Sequence, residues 1–147
     1  MAESIADTSF VVALGNRADK WHQVCAAIYQ NEGLIYLPQT VLSEVGYMLG
    51  RELGNRAFAS FLRLLPEMKY RVLPLEMQDF ARTAAIMEQY FDTRVDFVDA
   101  TVAAVAERLK ITRILTLDTL RVQRSYQRDF RMIRPRHADY FEIQPAS

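Results

Sequence analysis

The feature that most constrains this chain is an alternation of very short apolar runs with longer segments of helical periodicity. Ser4-Ile-Ala-Asp-Thr-Ser9 reads as a buried strand that stops at Asp7, and Leu34-Ile-Tyr-Leu37 as a second strand closed by Pro38. Tyr70-Arg-Val-Leu73 is strand-like, and Ile114-Leu-Thr-Leu117 is a strand that stops at Asp118. Arg131-Met-Ile-Arg134, before Pro135, is a candidate last strand. Between these runs, apolar residues recur at helical spacing. The spacing predicts a short helical turn over Phe10 to Leu14. It predicts a helix over about 18–31 with Trp21, Val24 and Ile28 inward, ended by Gly33. Another helix covers about 41–52, capped by Thr40, with Val41, Val45, Met48 and Leu49 as its apolar stripe. A further one runs from Gly54 to about residue 65, before Pro66. Met77, Phe80, Ala81, Ala84 and Met87 set a helix over 76–91, and Val98, Val102, Val105 and Leu109 one over about 96–109. Helices alternating with short apolar strands imply an α/β fold, a parallel sheet covered by helices on both faces. The 147 residues contain no linker, repeat or low-complexity stretch, so 1–147 is expected to be a single domain.

In such a sheet, ligands bind beyond the carboxyl ends of the strands. Asp7 and Asp118 each end an apolar strand and fall on that edge. Helix N-termini lie there too, which brings in Asp96 and Asp99, three residues apart on one helix face. Glu44, one turn into the helix after the second strand, reaches the same region. Each acid has an ordinary reading when taken alone. Asp96 suits an N-cap with Asp99 favoured by the helix dipole, Glu44 a solvated rim position, and Asp7 and Asp118 turns after strands. Together they point elsewhere. Clustered carboxylates raise one another's pKa and strain the fold unless a cation joins them. All-oxygen ligands suit Mg²⁺ or Mn²⁺ and not zinc. Such a site activates water and offsets charge on a phosphodiester undergoing hydrolysis.

Formal net charge is zero, so any binding of nucleic acid must use a local patch. Six arginines, Arg121, Arg124, Arg128, Arg131, Arg134 and Arg136, crowd one segment in which Asp129 is the one acid. Arg124, Arg128 and Arg131 are the candidates for RNA phosphate contacts, because the guanidinium fork binds two phosphate oxygens. Tyr126 and Phe130 between them suit base stacking. A solvated segment with internal ion pairs and a docking surface for an acidic partner are the competing readings of the same run. A single cysteine, Cys25, excludes an internal disulfide. No apolar run approaches the roughly 18 residues of a spanning helix, and the first residues carry Glu3 and Asp7 where a leader would be basic. The expectation is a cytoplasmic protein without a membrane partner. Gly46, Gly50 and Gly54, four apart, predict close helix packing. His22 and His137 have no partners at zinc spacing.

Ile5-Ala-Asp7-Thr-Ser, Val41-Leu-Ser-Glu44-Val, Asp96-Phe-Val-Asp99-Ala-Thr-Val-Ala-Ala and Ile114-Leu-Thr-Leu-Asp118 resemble, in order and spacing, the motifs of PIN domains, and within them the VapC-like branch of toxin ribonucleases. The resemblance spans almost the whole chain. It implies a three-layer α/β/α sandwich and a Mg²⁺- or Mn²⁺-dependent endoribonuclease acting on RNA, the toxin of a type II toxin–antitoxin pair with a cognate antitoxin and, in some cases, a homodimer. Position by position it makes Asp7, Glu44, Asp99 and Asp118 the catalytic, metal-holding quartet. Asp96 matches an extra acid, and Ser9 and Thr116 match hydroxyls bordering the site. Phe130 lies twelve residues beyond Asp118, farther than the family's pattern, so Thr119 to Asp129 reads as an insertion on the substrate side. The alternatives are a non-cleaving PIN-like module that grips RNA or protein, and a nuclease directed at DNA or at a particular nucleic-acid structure.

Overall fold

The computed structural model describes residues 3–117, 130 and 133–145. Five strands form one parallel sheet, in the order β3-β2-β1-β4-β5. They are β1 (Ser4–Ala6), β2 (Ile35–Pro38), β3 (Tyr70–Leu73), β4 (Arg113–Leu115) and β5 (Glu142–Gln144). The helices are α1 (Thr8–Gly15), α2 (His22–Asn31), α3 (Gln39–Leu53), α4 (Asn55–Leu64), α5 (Met77–Gln89) and α6 (Phe97–Leu109), with a 3₁₀ turn over Leu65–Glu67. β1 lies at the centre, paired with β2 through Ser4–Ile35 and with β4 through Ile5–Ile114. All three of its residues are fully buried, as expected for a strand covered on both faces. The strand order reverses between β1 and β4, so the crevice at the carboxyl ends of these two strands is the topological switch point.

α6 supplies much of the core. From Ala100 to Ala106 every residue is buried, which marks a helix surrounded by protein. Its alanines keep it slim enough to be enclosed. Phe10, Val11, Ile35, Leu37, Val41 and Ile114 complete the core around the central strands.

Several elements depart from their expected form. α1 is a full helix, because Asp7 caps it by accepting from the Phe10 N–H at 3.2 Å. α2 starts at His22 and buries Cys25, while Val24 faces solvent. Thr40 does not cap α3, which Pro38 precedes; the Thr40 hydroxyl instead pairs with that of Thr101 at 2.7 Å. Pro66 falls inside the 3₁₀ turn. The last strand forms at Glu142–Gln144, and the described half of the expected one, Ile133 and Arg134, is coil. The α5 stripe of Met77, Phe80, Ala81, Ala84 and Met87 points outward, and Asp79, Thr83 and Ile86 point inward. Asp79 is accommodated there by Arg108, 2.9 Å away, and by its capping-box bond to the Glu76 N–H. The close packing predicted from the glycines is present at Gly46, where a methyl group would meet the Phe58 ring at 2.9 Å.

Candidate active site

Three chain segments converge on the carboxyl end of β1. The first follows β1 directly. Asp7 is only 5% exposed, and its carboxylate is held from both sides. One oxygen accepts from the Ser9 hydroxyl at 2.7 Å and from the Phe10 N–H, and the other accepts from the Thr116 hydroxyl. Burial pushes the Asp7 carboxyl up to about 6, against the opposing pull of these hydrogen bonds. The second segment follows β4. Thr116 reaches across to Asp7, and the Leu117 N–H donates to the Ser9 oxygen at 2.8 Å. The loops after the two strands at the switch point are therefore tied together through a carboxylate and two hydroxyls.

The third segment is the first turns of α3 and α6. Both helices begin at this edge, α3 because it follows β2 and α6 because it precedes β4. The Thr40–Thr101 hydroxyl pair joins them, and Thr101 also donates to the Val98 carbonyl at 2.7 Å. Glu44, half-buried one turn further along α3, accepts from the Thr8 hydroxyl and so is tied to the start of α1. Asp96 caps α6 by accepting from the Asp99 N–H at 2.9 Å, and Asp99 returns the bond by accepting from the Asp96 N–H at 3.2 Å. This reciprocal box uses the two acids to satisfy helix N-terminal donors. It also fixes their orientation at the sheet edge.

The residues expected to form the site thus divide into groups. Asp7, Ser9 and Thr116 are in direct contact. Glu44 is held at their flank by Thr8, and Asp96 and Asp99 are held together at the start of α6. Among the described residues, no three acidic, histidine or cysteine side chains cluster at metal-binding spacing. Asp118, the fourth acid of the expected quartet, lies outside the described residues, as do Arg124, Arg128 and Arg131 and the segment read as an insertion. Phe130 does not fit its expected stacking role, since it is 1% exposed and part of the core. The two histidines are occupied as the spacing argument requires: His22 Nδ1 meets the Ala13 carbonyl and His137 Nε2 the Ile111 carbonyl.

Thr8 and the Thr40–Thr101 pair went unread in the sequence. Thr8 had a signal, because it sits between an acid and a hydroxyl already assigned to the site. The threonine pair had none, since its partners are 61 residues apart.

The donor set suits a hard cation. Every polar group facing the edge is an oxygen, and among the described residues no lysine or arginine pairs with Asp7 or Glu44. A buried carboxylate without a cationic partner is costly once ionised, and a divalent ion would remove that cost. The charged concavity of 440 Å³ between α5 and α6 is different in kind. Its Arg82 and Arg108 are already paired with Glu107 and Asp79, so its charges neutralise one another.

The sequence model of the PIN domain family matches residues 5–124. Ribonuclease VapC26 of Mycobacterium tuberculosis is 26% identical over 142 residues, covering 96% of this chain and 99% of the relative. The crystal structure of Mycobacterium tuberculosis VapC20, described as a sarcin-ricin loop cleaving toxin, superposes with a TM-score of 0.70 at 25% identity, covering 76% of this chain and 86% of that one. The DNA-bound VapBC structure from Salmonella typhimurium shares the fold over 98% of both chains, with a TM-score of 0.66 at 17% identity.

Proposed function

The chain belongs to the PIN domain family, and we propose that it is an endoribonuclease, the toxin of a type II toxin–antitoxin pair, that hydrolyses RNA phosphodiesters with Mg²⁺ or Mn²⁺. One structural observation carries the reading: a buried carboxylate, Asp7, stands at the switch point of the sheet, oriented by two hydroxyls and paired with no cationic side chain. A likeness to a ribonuclease over nearly the full length of both chains supports the same conclusion. Asp7, Asp99 and Asp118 would hold the cation, with Glu44 holding or orienting its waters. The metal would supply an acidified water as nucleophile and offset charge on the phosphate.

The chain's own residues act around that centre. Ser9 and Thr116 fix both oxygens of Asp7, so the carboxylate pays little reorganisation when it binds a cation. Thr8 does the same for Glu44. Asp96 anchors the first turn of α6 and presents Asp99 at a helix N-terminus, where the dipole stabilises its charge. Arg124, Arg128 and Arg131 would contact RNA phosphates beyond Asp118. The partners are RNA and a cognate antitoxin, and residues 1–147 act as one domain. Among the described residues no helix is long and apolar enough to cross a membrane, and we place the protein in the cytoplasm.

The test is cleavage of total RNA by the purified chain with Mg²⁺, Mn²⁺ or chelator. Wild type should cut with either metal and stop with chelator. Asp99→Asn should abolish cleavage with its circular dichroism spectrum unchanged, and Asp96→Asn should be milder. Cutting by Asp99→Asn at near wild-type rate would defeat the assignment.

A further inference from the structure

The outward face of α5 has no partner in the chain. Met77 is 83% exposed, Phe80 47%, Met87 36%, and Phe91, just past the helix end, 82%. Ala81 and Ala84 are exposed between them. At 3.6 residues per turn these six positions form one continuous stripe about 20 Å long. It lies opposite Asp79, Thr83 and Ile86, which face α6. The helix therefore buries a face containing an ionised aspartate and a threonine while it presents an apolar stripe to water. An isolated exposed leucine or phenylalanine is ordinary, but a contiguous stripe of this kind marks an interaction surface.

The order of side chains along the stripe identifies its occupant. Large groups, Met77 with Phe80 and Met87 with Phe91, stand at the two ends, and small ones, Ala81 and Ala84, stand in the middle. A helix that crosses antiparallel at the middle can approach closely, because alanine meets alanine there. The large side chains at each end then fill the space where the helices diverge. A second copy of the same helix has this complementarity automatically under a two-fold axis. With the axis at Ala84, that residue meets its own counterpart, Ala81 faces Met87 of the second copy, and Met77 faces Phe91. Glu88 alone is charged on this face, and it lands beside the second copy's Phe80 near the rim.

We propose that the chain forms a two-fold homodimer through the outward face of α5, with Ala84 on the axis. The contact also bears on the site. Phe91 begins the turn that runs through residues 90–96 to Asp96, the cap of α6. The second copy's Met77, packed on Phe91, braces that turn from outside, while the Tyr90 hydroxyl holds it from inside by accepting from the Arg134 N–H at 3.1 Å.

Sedimentation velocity and cysteine cross-linking test this. Wild type should sediment as a dimer, and Ala84→Arg as a monomer with an unchanged circular dichroism spectrum, since position 84 is exposed and tolerates a long side chain in the monomer. A short bismaleimide should join two copies of Ala84→Cys and should not join Gln78→Cys, which lies off the stripe. Wild type is the blank, because its sole thiol, Cys25, is buried. The proposal is overturned by a wild type that stays monomeric at its highest soluble concentration, which would assign the stripe to a different protein. It is equally overturned by a dimer that survives Ala84→Arg, or by cross-linking at 78 and not at 84.

Discussion

Asp7 carries two duties that pull in opposite directions. As the cap of α1 and the acceptor of two hydroxyls it is well satisfied as an anion, yet burial dominates and lifts its pKa from 3.8 to about 6. A carboxyl with a raised folded-state pKa contributes its full share of stability below pH 4, where it is protonated in both states. That share is lost as pH rises through 6, because the folded protein must then hold a buried charge that the unfolded chain solvates. The rise is equivalent to about 3 kcal/mol at neutral pH without metal. Asp7→Asn should therefore raise the stability of the metal-free protein above pH 6, by less than that ceiling, since the amide replaces only part of the hydrogen bonding. The gain should fade toward pH 4. Urea melts of both proteins in chelator across this range measure it, and a gain independent of pH would assign the effect to packing. Activity should be lost in the same variant, the trade expected where function requires a strained group. Thr8→Val asks whether the neighbours matter. It removes the donor that holds Glu44 and leaves every proposed metal ligand in place, so cleavage should fall about 10–100-fold and not vanish.

The secondary elements show what periodicity can and cannot say. β3 lies where alternation of short apolar runs put it, at Tyr70–Leu73, because a buried parallel strand needs a continuous apolar run and the turn residues on either side end it. α5 has the predicted extent to within two residues at each end, but its buried face is the opposite one. Helical spacing tells which residues share a side; which side is covered depends on the neighbouring helix. α6 meets Asp79 with Arg108, an ion pair between residues 29 apart that no local pattern announces. Thr40 failed as a cap for a similar reason, since its hydroxyl has a better partner in Thr101. The glycine series is resolved by its surroundings. Gly54 ends α3 at φ +92° with nothing near its α-carbon, so only backbone conformation requires it. Gly46 has an ordinary helical backbone and a phenyl ring 2.9 Å from where a methyl group would sit. Gly54→Ala should thus cost about 1–3 kcal/mol although the space is open. Gly46→Ala should come out near neutral. Alanine gains up to about 1 kcal/mol of helix propensity there, while the Phe58 ring, on a helix with no fully buried residue, can shift to admit the methyl. Equilibrium unfolding of the two variants decides this; a larger loss at Gly46 would show that the α3–α4 contact is rigid.

The protein as a whole was most readable where topology does the placing. Strand ends and helix starts in a doubly wound sheet share one edge, so acids at those positions could be brought together on paper before any coordinate was known. What the sequence hid were the hydroxyl tethers from Thr8, Thr40 and Thr101 and the buried state of Phe130, because each depends on residues far away in the chain. If Asp7, Glu44, Asp99 and Asp118 do form one metal site, the stability of the entire fold must respond to the cation, since a site assembled from four segments exists only in the folded state. Free metal at ten times its Kd adds about 1.4 kcal/mol, which for a chain of this length raises Tm by about 3–6 °C. The gain should grow as pH rises through 6, because a protonated Asp7 is a poor ligand and metal binding must first displace its proton. Asp7→Asn and Asp99→Asn should each lose most of the gain, whereas Thr8→Val should keep most of it. The measurement is a set of thermal melts in chelator and in millimolar Mg²⁺ or Mn²⁺ at pH 5.5 and 7.5. A wild type whose Tm ignores both cations at both pH values would mean that the carboxylates act separately, as helix caps and turn residues, and that the edge of the sheet is not a metal centre.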